Sequence, residues 1–231
     1  NVNDAVELPL DAYYSNVGAV TMRDTWEDKA TFVGLCGGAN SVAHGDLDIG
    51  NFVIDGDGCR FLDDLGSDNY SLPGYFVNSR WTYYRKRAEG QNTLVIGDVR
   101  QSVPDQDPNA VGRFTRVESS DASAIAVVDM TAAYTAAQSG ARGIFFKDDR
   151  QTVVVQDEMT LSSAETVRWQ VHTRGKIAVS EDGRSAVITD SGHRLYCEIV
   201  SDDASLRFTT RRADSYDPNY QNTDGEYDRS N

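Results

Sequence analysis

The feature that most constrains the fold is a long series of short apolar or alternating segments, separated by polar and glycine-containing turns. Residues 20–23, 31–35 and 52–54 are rich in β-branched and aromatic side chains, which favour strands. The Asp-Gly-Asp-Gly run at 55–58 predicts a hairpin between residues 52–54 and 59–62, because glycine tolerates positive φ. The same pattern predicts further strands at 124–128, 143–146, 152–155, 166–172, 176–179, 186–189, 195–200 and 205–209.

Helical periodicity is nearly absent from the chain. Only the alanine-containing segment 130–140 could form a short helix, and its length is marginal. Regularly spaced strands with very little helix indicate an all-β protein, a large antiparallel β-sandwich or super-β-sandwich. The chain of 231 residues is long enough for one large all-β domain or two small ones.

Composition excludes several classes of function. The 36 acidic and 22 basic residues give a net charge of −14, which argues against binding a phosphate backbone. The three cysteines are widely spaced without a C-x-x-C pair, so neither a disulfide framework nor a cysteine zinc site is indicated. No apolar run approaches the length of a membrane span, and no signal peptide is recognisable. The chain starts without Met and ends in a polar tail at 214–231, which suggests a piece of a longer protein.

One of the three histidines lies in a segment that looks functional. His44 sits between the Gly/Asn/Ser-rich residues 37–41 and the apolar run 52–54, and imidazole exchanges protons near neutral pH. Asp46 and Asp48, two residues apart on a strand, would project to the same face. The alternative is a loop-to-strand junction whose polar residues hydrogen-bond their own backbone.

Residues 63–84 are rich in Gly, Asn, Ser, Tyr and Trp and predict a long ordered loop that leads into a strand. Such loops are uncommon and are often functional. Tyr70 and Trp81 could offer flat surfaces to sugar rings. The alternation of Trp81 with Tyr83 fits the core face of a strand equally well.

Several motifs, taken together and in order, resemble the heparinase II/III-like domain of polysaccharide lyases. They are His-Gly-Asp-Leu-Asp-Ile-Gly-Asn-Phe at 44–52, Asp-Asp-Leu-Gly-Ser-Asp-Asn-Tyr at 63–70, Arg-Ala-Glu-Gly-Gln-Asn-Thr-Leu at 87–94, Asp-Met-Thr-Ala-Ala-Tyr at 129–134 and Trp-Gln-Val-His at 169–172. The resemblance implies a C-terminal β-sandwich that packs, in these lyases, against an N-terminal α/α toroid. It divides the chain into an extended N-terminal segment at 1–17, a sandwich at 18–210 and a polar tail at 211–231, with the toroid absent.

The resemblance also implies a reaction. In the family, a uronic acid polymer such as a glycosaminoglycan or alginate lies between toroid and sandwich and is cut by β-elimination. The reaction requires a neutralised carboxylate, removal of the C5 proton and protonation of the leaving oxygen. The toroid supplies the base, and the first histidine of the sandwich motif, which falls on His44, assists proton transfer. The expected activity is therefore that of a lyase in the full-length protein, located in the cell envelope, in the periplasm or outside the cell. The isolated chain is expected to be inactive.

The family resemblance further implies a metal site, and here the chain departs from the pattern. Members with structural zinc use two histidines and an aspartate, at positions that correspond to Asp46, Asp64 and Gln91. Two carboxylates and an amide oxygen suit calcium or magnesium better than zinc, or no metal. We expect these three side chains to converge, either around one divalent cation or as a hydrogen-bonded cluster.

The one basic cluster of the chain adds candidates for substrate binding. Arg80, Arg85 and Arg87 could hold the uronate carboxylates or sulfates of an anionic polysaccharide. The alternative is an ordinary charged strand face. His172 is expected to be a core histidine bonded to its surroundings, and His193 is assigned no role.

Two other functions are compatible with the same sequence. The first is a non-catalytic carbohydrate-binding or scaffold domain that stabilises the helical half of an enzyme. The second is hydrolysis by paired carboxylates, which requires Asp46 or Asp48 to face another acid across a sugar-sized gap.

Overall fold

The strands of the protein pair with antiparallel neighbours in a computed structural model that describes residues 8–220. One five-stranded sheet has the order β1-β2-β3-β5-β6, and a second has the order β11-β10-β9-β8-β4. Two smaller sheets are β12-β7 and β13-β14-β15. In chain order the strands are β1 Ala12–Tyr14, β2 Ala19–Arg23, β3 Phe32–Cys36, β4 Gly38–Ala39, β5 Phe52–Gly56, β6 Cys59–Leu62, β7 Leu94–Ile96, β8 Val111–Ser119, β9 Ala124–Asp129, β10 Ala137–Lys147, β11 Thr152–Leu161, β12 Val167–Trp169, β13 Lys176–Val179, β14 Ser185–Asp190 and β15 His193–Glu198.

The core lies between the two five-stranded sheets. Val33 on β3 is opposite Met22 and Ile54 in the antiparallel register, and all three are buried. Ile144 on β10 and Val128 on β9 are buried in the same apolar cluster. The alternation of buried and less buried residues along these strands turns one face of each sheet inward, as a sandwich requires. The predicted all-β sandwich and the hairpin at 55–58 are confirmed.

Some predicted elements are wrong. Segment 130–140 contains a single 3₁₀ turn at Thr131–Ala133 and then the start of β10. Residues 78–90 form 3₁₀ turns at Asn78–Thr82, Tyr84–Lys86 and Ala88–Gly90 rather than a strand.

The strand predicted at 205–209 is also absent from the described structure. The guanidinium of Arg184 donates to the carbonyls of Ile199, Ser201, Asp203 and Leu206. The Arg184 side chain therefore takes the place of strand pairing for these carbonyls, of which that of Leu206 lies in the predicted strand.

Packed structure extends beyond residues 18–210 on both sides. The buried guanidinium of Arg150 donates to Asp11 through Nη1 at 2.8 Å and Nη2 at 2.7 Å. At the other end, Ser215 Oγ and Tyr216 N each donate to the carboxylate of Glu89 at 2.9 Å. Within residues 8–220, no helix has the length and apolar character to cross a membrane.

Candidate functional site

His44 lies on the loop at 40–51, between β4 and β5. Its backbone is in the left-handed region, with φ of 63°, and its side chain is exposed. The next residue must be small, because a Cβ on Gly45 would lie 2.8 Å from the backbone oxygen of Asn40. The expectation that Asp46 and Asp48 project to the same face of a strand is wrong, because residues 40–51 form a loop and not a strand.

Two aromatic rings flank the imidazole of His44. Its ring centroid lies 5.7 Å from that of Tyr70 and 5.2 Å from that of Phe76, and the two aromatic rings are 5.1 Å apart. Tyr70 is 53% exposed and Phe76 is 49% exposed. We call these three residues the aromatic patch. The sequence singled out Tyr70 but missed Phe76, for which the density of aromatic residues in the loop was the only signal.

The side chain of a buried lysine binds to the His44 loop. Lys86 is only 3% exposed, and its Nζ lies 2.5 Å from Asp46 Oδ1 and donates to the backbone oxygen of His44 at 3.1 Å. The ammonium also lies 4.7 Å from the ring centroid of Tyr75. Burial raises the pKa of Asp46, and the ammonium of Lys86 opposes that shift. Sequence reasoning missed Lys86 because nothing in a basic run indicates which member turns inward.

The predicted substrate-binding residues separate into surface and interior groups. Tyr70 is exposed, and Arg80 is half-buried, with its guanidinium 3.9 Å from the ring centroid of Trp81. Trp81 itself is buried, and Arg87 is 0% exposed, so neither offers a surface to a polysaccharide, contrary to expectation. Arg85 is half-buried and pairs with Asp68 at 3.2 Å. Arg87 is an internal cross-link that donates to Glu89 and to the carbonyls of Trp81, Arg100, Gln101 and Val103.

The three residues that the family resemblance places at a metal site face nitrogen donors. Asp64 Oδ2 and Gln91 Oε1 both accept from Asn51 Nδ2, at 2.6 and 2.9 Å, while Asp46 pairs with Lys86. Among residues 8–220, no group of three or more His, Cys, Asp or Glu side chains is placed to hold a metal ion. As they stand, these oxygens fit N–H donors rather than a cation.

A second carboxyl group belongs to the loop itself, that of Asp48. Burial raises the pKa of Asp48 to about 7, and the nearby carboxylates of Asp46 and Asp64 contribute to the shift. Cys36 Sγ donates to Asp48 Oδ2 at 3.4 Å. Burial, followed by Asp48, raises the pKa of this thiol, so Cys36 remains a thiol rather than a thiolate near neutral pH.

His172 is buried, as expected, in a network of polar side chains. Its ring contacts Asn92 Oδ1 through Nδ1 at 3.1 Å and Tyr84 Oη through Nε2 at 2.9 Å. These partners suit a neutral imidazole that donates from Nδ1 and accepts at Nε2. Burial lowers the pKa of His172 to about 4.

We expect this buried histidine to make stability pH-dependent. Between about pH 4 and pH 6.5 the unfolded chain binds a proton at His172 that the folded chain does not, so stability rises with pH in this window. The shift corresponds to about 3 kcal/mol. Urea unfolding across this window should give a stability difference between wild type and His172→Gln that grows with pH and is constant above it.

The control is Ile188→Val, a buried substitution on β14 that carries no titrating group. Its effect on the free energy of unfolding should not change with pH. A His172→Gln effect as independent of pH as that of Ile188→Val would contradict the assignment of a neutral buried imidazole.

Comparisons with known proteins agree on one family. The sequence profile of the family described as "Heparinase II/III-like, C-terminal" matches residues 11–224. No curated protein matches the chain. The fold is similar to that of heparan sulfate lyase HepC from Pedobacter heparinus, with a TM-score of 0.70 and 18% identity over 84% of this chain and 29% of that chain.

Two further solved structures show the same likeness. The heparinase III BT4657 gene product gives a TM-score of 0.66 and 19% identity over 79% of this chain and 27% of that chain. A structure of heparinase III gives a TM-score of 0.61 and 18% identity over 78% of this chain and 28% of that chain. The chain therefore spans less than a third of the length of these relatives.

Proposed function

This chain belongs to the heparinase II/III-like C-terminal family, and from that premise we propose that it is the β-sandwich part of a polysaccharide lyase. The full-length protein would cleave a uronic acid-containing polysaccharide by β-elimination. The observation that carries the proposal is the exposed imidazole of His44, which lies within the aromatic patch on a loop supported by cationic side chains.

Each part of this surface suits one requirement of the reaction. The imidazole of His44 can relay a proton to or from the sugar. Tyr70 and Phe76 offer exposed rings on which a pyranose can stack. The base that removes the C5 proton would come from an N-terminal α/α toroid, so this chain alone holds part of the site.

Arg80 is the best-placed cation for an anionic substrate on a protein of net charge −14. Its guanidinium donates to the backbone oxygen of Val42 at 3.4 Å, two residues from His44. Among the salt bridges within residues 8–220, none involves Arg80. Its charge is therefore available to a uronate carboxylate or sulfate, whereas the charge of Arg85 is already shared with Asp68.

The proposed substrates are glycosaminoglycans or alginate, and the proposed location is the cell envelope, periplasm or exterior. An enzyme that degrades such polymers would encounter them in these places.

The decisive test is an ultraviolet assay for unsaturated uronate products. The 231-residue chain and the same chain with its upstream region restored are compared on a panel of uronic acid polymers. We expect turnover only in the longer protein, because the base lies outside this chain. Turnover by the isolated chain would place the base within it. An absence of unsaturated products with both proteins would count against the lyase proposal.

The alternative function is a non-catalytic carbohydrate-binding or scaffold domain. The half-exposed rings of Tyr70 and Phe76 favour it, because sugar stacking needs no proton transfer. Calorimetric binding of oligosaccharides by the longer protein, together with an absence of unsaturated products, would support this alternative. Saturated products would instead indicate hydrolysis by paired carboxylates.

A further inference from the structure

The polar side chains in and around the His44 loop have an arrangement that a metal site would not have. We propose that Lys86 and Asn51 take the place of a bound cation, and that Lys86 is the positioning residue for His44. Lys86 supplies the positive charge, and Asn51 supplies N–H donors to the remaining oxygens. The positioning part of this inference rests on the proposed function, whereas the replacement of a cation does not.

The surroundings of Lys86 account for its burial. An ammonium has three N–H donors and no acceptor, and here Asp46 Oδ1 lies 2.5 Å away and the backbone oxygen of His44 lies 3.1 Å away. The face of the Tyr75 ring, 4.7 Å from Nζ, adds a third favourable contact for a cation. A buried lysine without such partners would be strongly unfavourable.

Asn51 fills the other half of the arrangement. The two hydrogens of Nδ2 serve Asp64 Oδ2 and Gln91 Oε1, and Asn51 Oδ1 accepts from Asn92 N at 2.8 Å. Gln91 Nε2 donates to the backbone oxygen of Arg85 at 2.7 Å, which turns Oε1 of Gln91 towards Asn51. The hydrogen bonds at Nδ2 and at Oδ1 therefore fix the orientation of the Asn51 side-chain amide.

A cation at this place would have to displace both groups. Its contact with Asp46 would bring it close to the ammonium of Lys86, and like charges repel strongly where little water screens them. Binding of the cation to Asp64 and Gln91 would require the side-chain N–H groups of Asn51 to turn away. That rotation would also break the hydrogen bond from Asn92 N to Asn51 Oδ1. The carboxylates of Asp46 and Asp64 therefore already have internal partners, an ammonium and an amide.

The same ammonium stabilises an uncommon backbone conformation at His44. His44 has φ of 63°, and this left-handed region is unfavourable for a residue with a Cβ. The bond from Lys86 Nζ to the His44 carbonyl stabilises that peptide orientation. Arg80 holds Val42 in the same way, so two cations anchor the two sides of the His44 turn.

The first test is metal content in the 231-residue chain, purified without a chelator. Elemental analysis should find far less than one divalent ion per chain, and the chelator EDTA should leave the melting temperature unchanged. Stoichiometric calcium, magnesium or zinc, or a melting temperature that falls in EDTA, would overturn the replacement of a cation by Lys86 and Asn51.

The second test is the substitution Lys86→Met, which removes the ammonium charge and keeps most of the length of the side chain. We expect the melting temperature to fall by about 5 °C or more, and the matched control Lys147→Met, at a half-exposed lysine beside Asp148, to change little. The double variant Asp46→Asn with Lys86→Met should lose less than the sum of the two single changes. Additive losses would show that the two residues do not compensate each other, and would overturn the proposal.

The positioning role is tested in the longer protein by the way in which the kinetic constants change. Lys86→Met should lower kcat at least about tenfold with KM nearly unchanged, at a temperature where the variant is folded, and Lys86→Arg should recover part of the loss. An unchanged kcat would overturn the positioning role. The metal and stability measurements do not involve the reaction, so a failure of the lyase proposal is distinguishable from a failure of this one.

Discussion

We expect the replacement of His44 by Asn in the longer protein to lower kcat by about 10²- to 10⁴-fold, the usual contribution of one general acid or base. The melting temperature should stay close to that of wild type. Within residues 8–220, the exposed imidazole of His44 has ring contacts with Tyr70 and Phe76, so its loss removes little packing. The KM should change little, because Tyr70 and Arg80 remain in place to hold the sugar.

Asparagine is the more informative substitution because of the backbone at this position. His44 has φ of 63°, and asparagine adopts the left-handed region more readily than alanine. A loss of activity in His44→Asn is therefore attributable to the missing imidazole rather than to a rearranged loop. His44→Ala should lose activity to a similar extent, with a small additional loss of stability.

The matched control is His193→Asn. His193 is part-exposed, and its Nδ1 lies 3.4 Å from Asp57 Oδ2. It begins β15 and is not part of the His44 loop. Its substitution should leave kcat unchanged. Near-wild-type turnover in His44→Asn would remove His44 from the mechanism and would favour the non-catalytic binding domain.

Strands with strict alternation were predictable from the sequence, and irregular segments were not. The hairpin at 52–62 carries alternating apolar residues and an Asp-Gly turn, so local chemistry decides its structure. Strand β8 at Val111–Ser119 was missed because it is largely exposed and polar. The 3₁₀ turns at 78–90 depend on distant partners, such as the Gln101 and Val103 carbonyls that accept from Arg87, and no local pattern encodes those contacts.

The candidate site was predictable only where a rare residue marked it. His44 stood out because the chain has three histidines, and Tyr70 because aromatic residues are dense around it. The sequence could not tell which cation of the basic cluster faces water. Lys86 and Arg87 are buried and Arg80 is half-buried at the surface, a division that depends on which acceptors the fold brings to each of them.

Arg142→Met should be among the most destabilising single substitutions in the sandwich. Arg142 on β10 is fully buried, and its Nε and Nη2 donate to the two oxygens of Asp157 at 2.8 Å each. Its Nη1 donates to the carbonyls of Gly50 and Asn92 at 2.7 and 2.8 Å. Removal leaves a largely buried carboxylate and two carbonyls without these donors, which should cost about 3–5 kcal/mol in urea unfolding.

The control for this prediction is Arg116→Met, because Arg116 also makes a bidentate pair, with Glu118, but at an exposed site. Exposed pairs contribute little, so its midpoint in urea should be close to that of wild type. Equal effects of the two substitutions would contradict the role given to Arg142.

Because Arg142 joins β10 to Gly50 and Asn92, the residues next to Asn51 and Gln91, its loss should also loosen the support of the His44 loop. Lyase activity in the longer protein should therefore fall in Arg142→Met, even at urea concentrations where the variant remains folded.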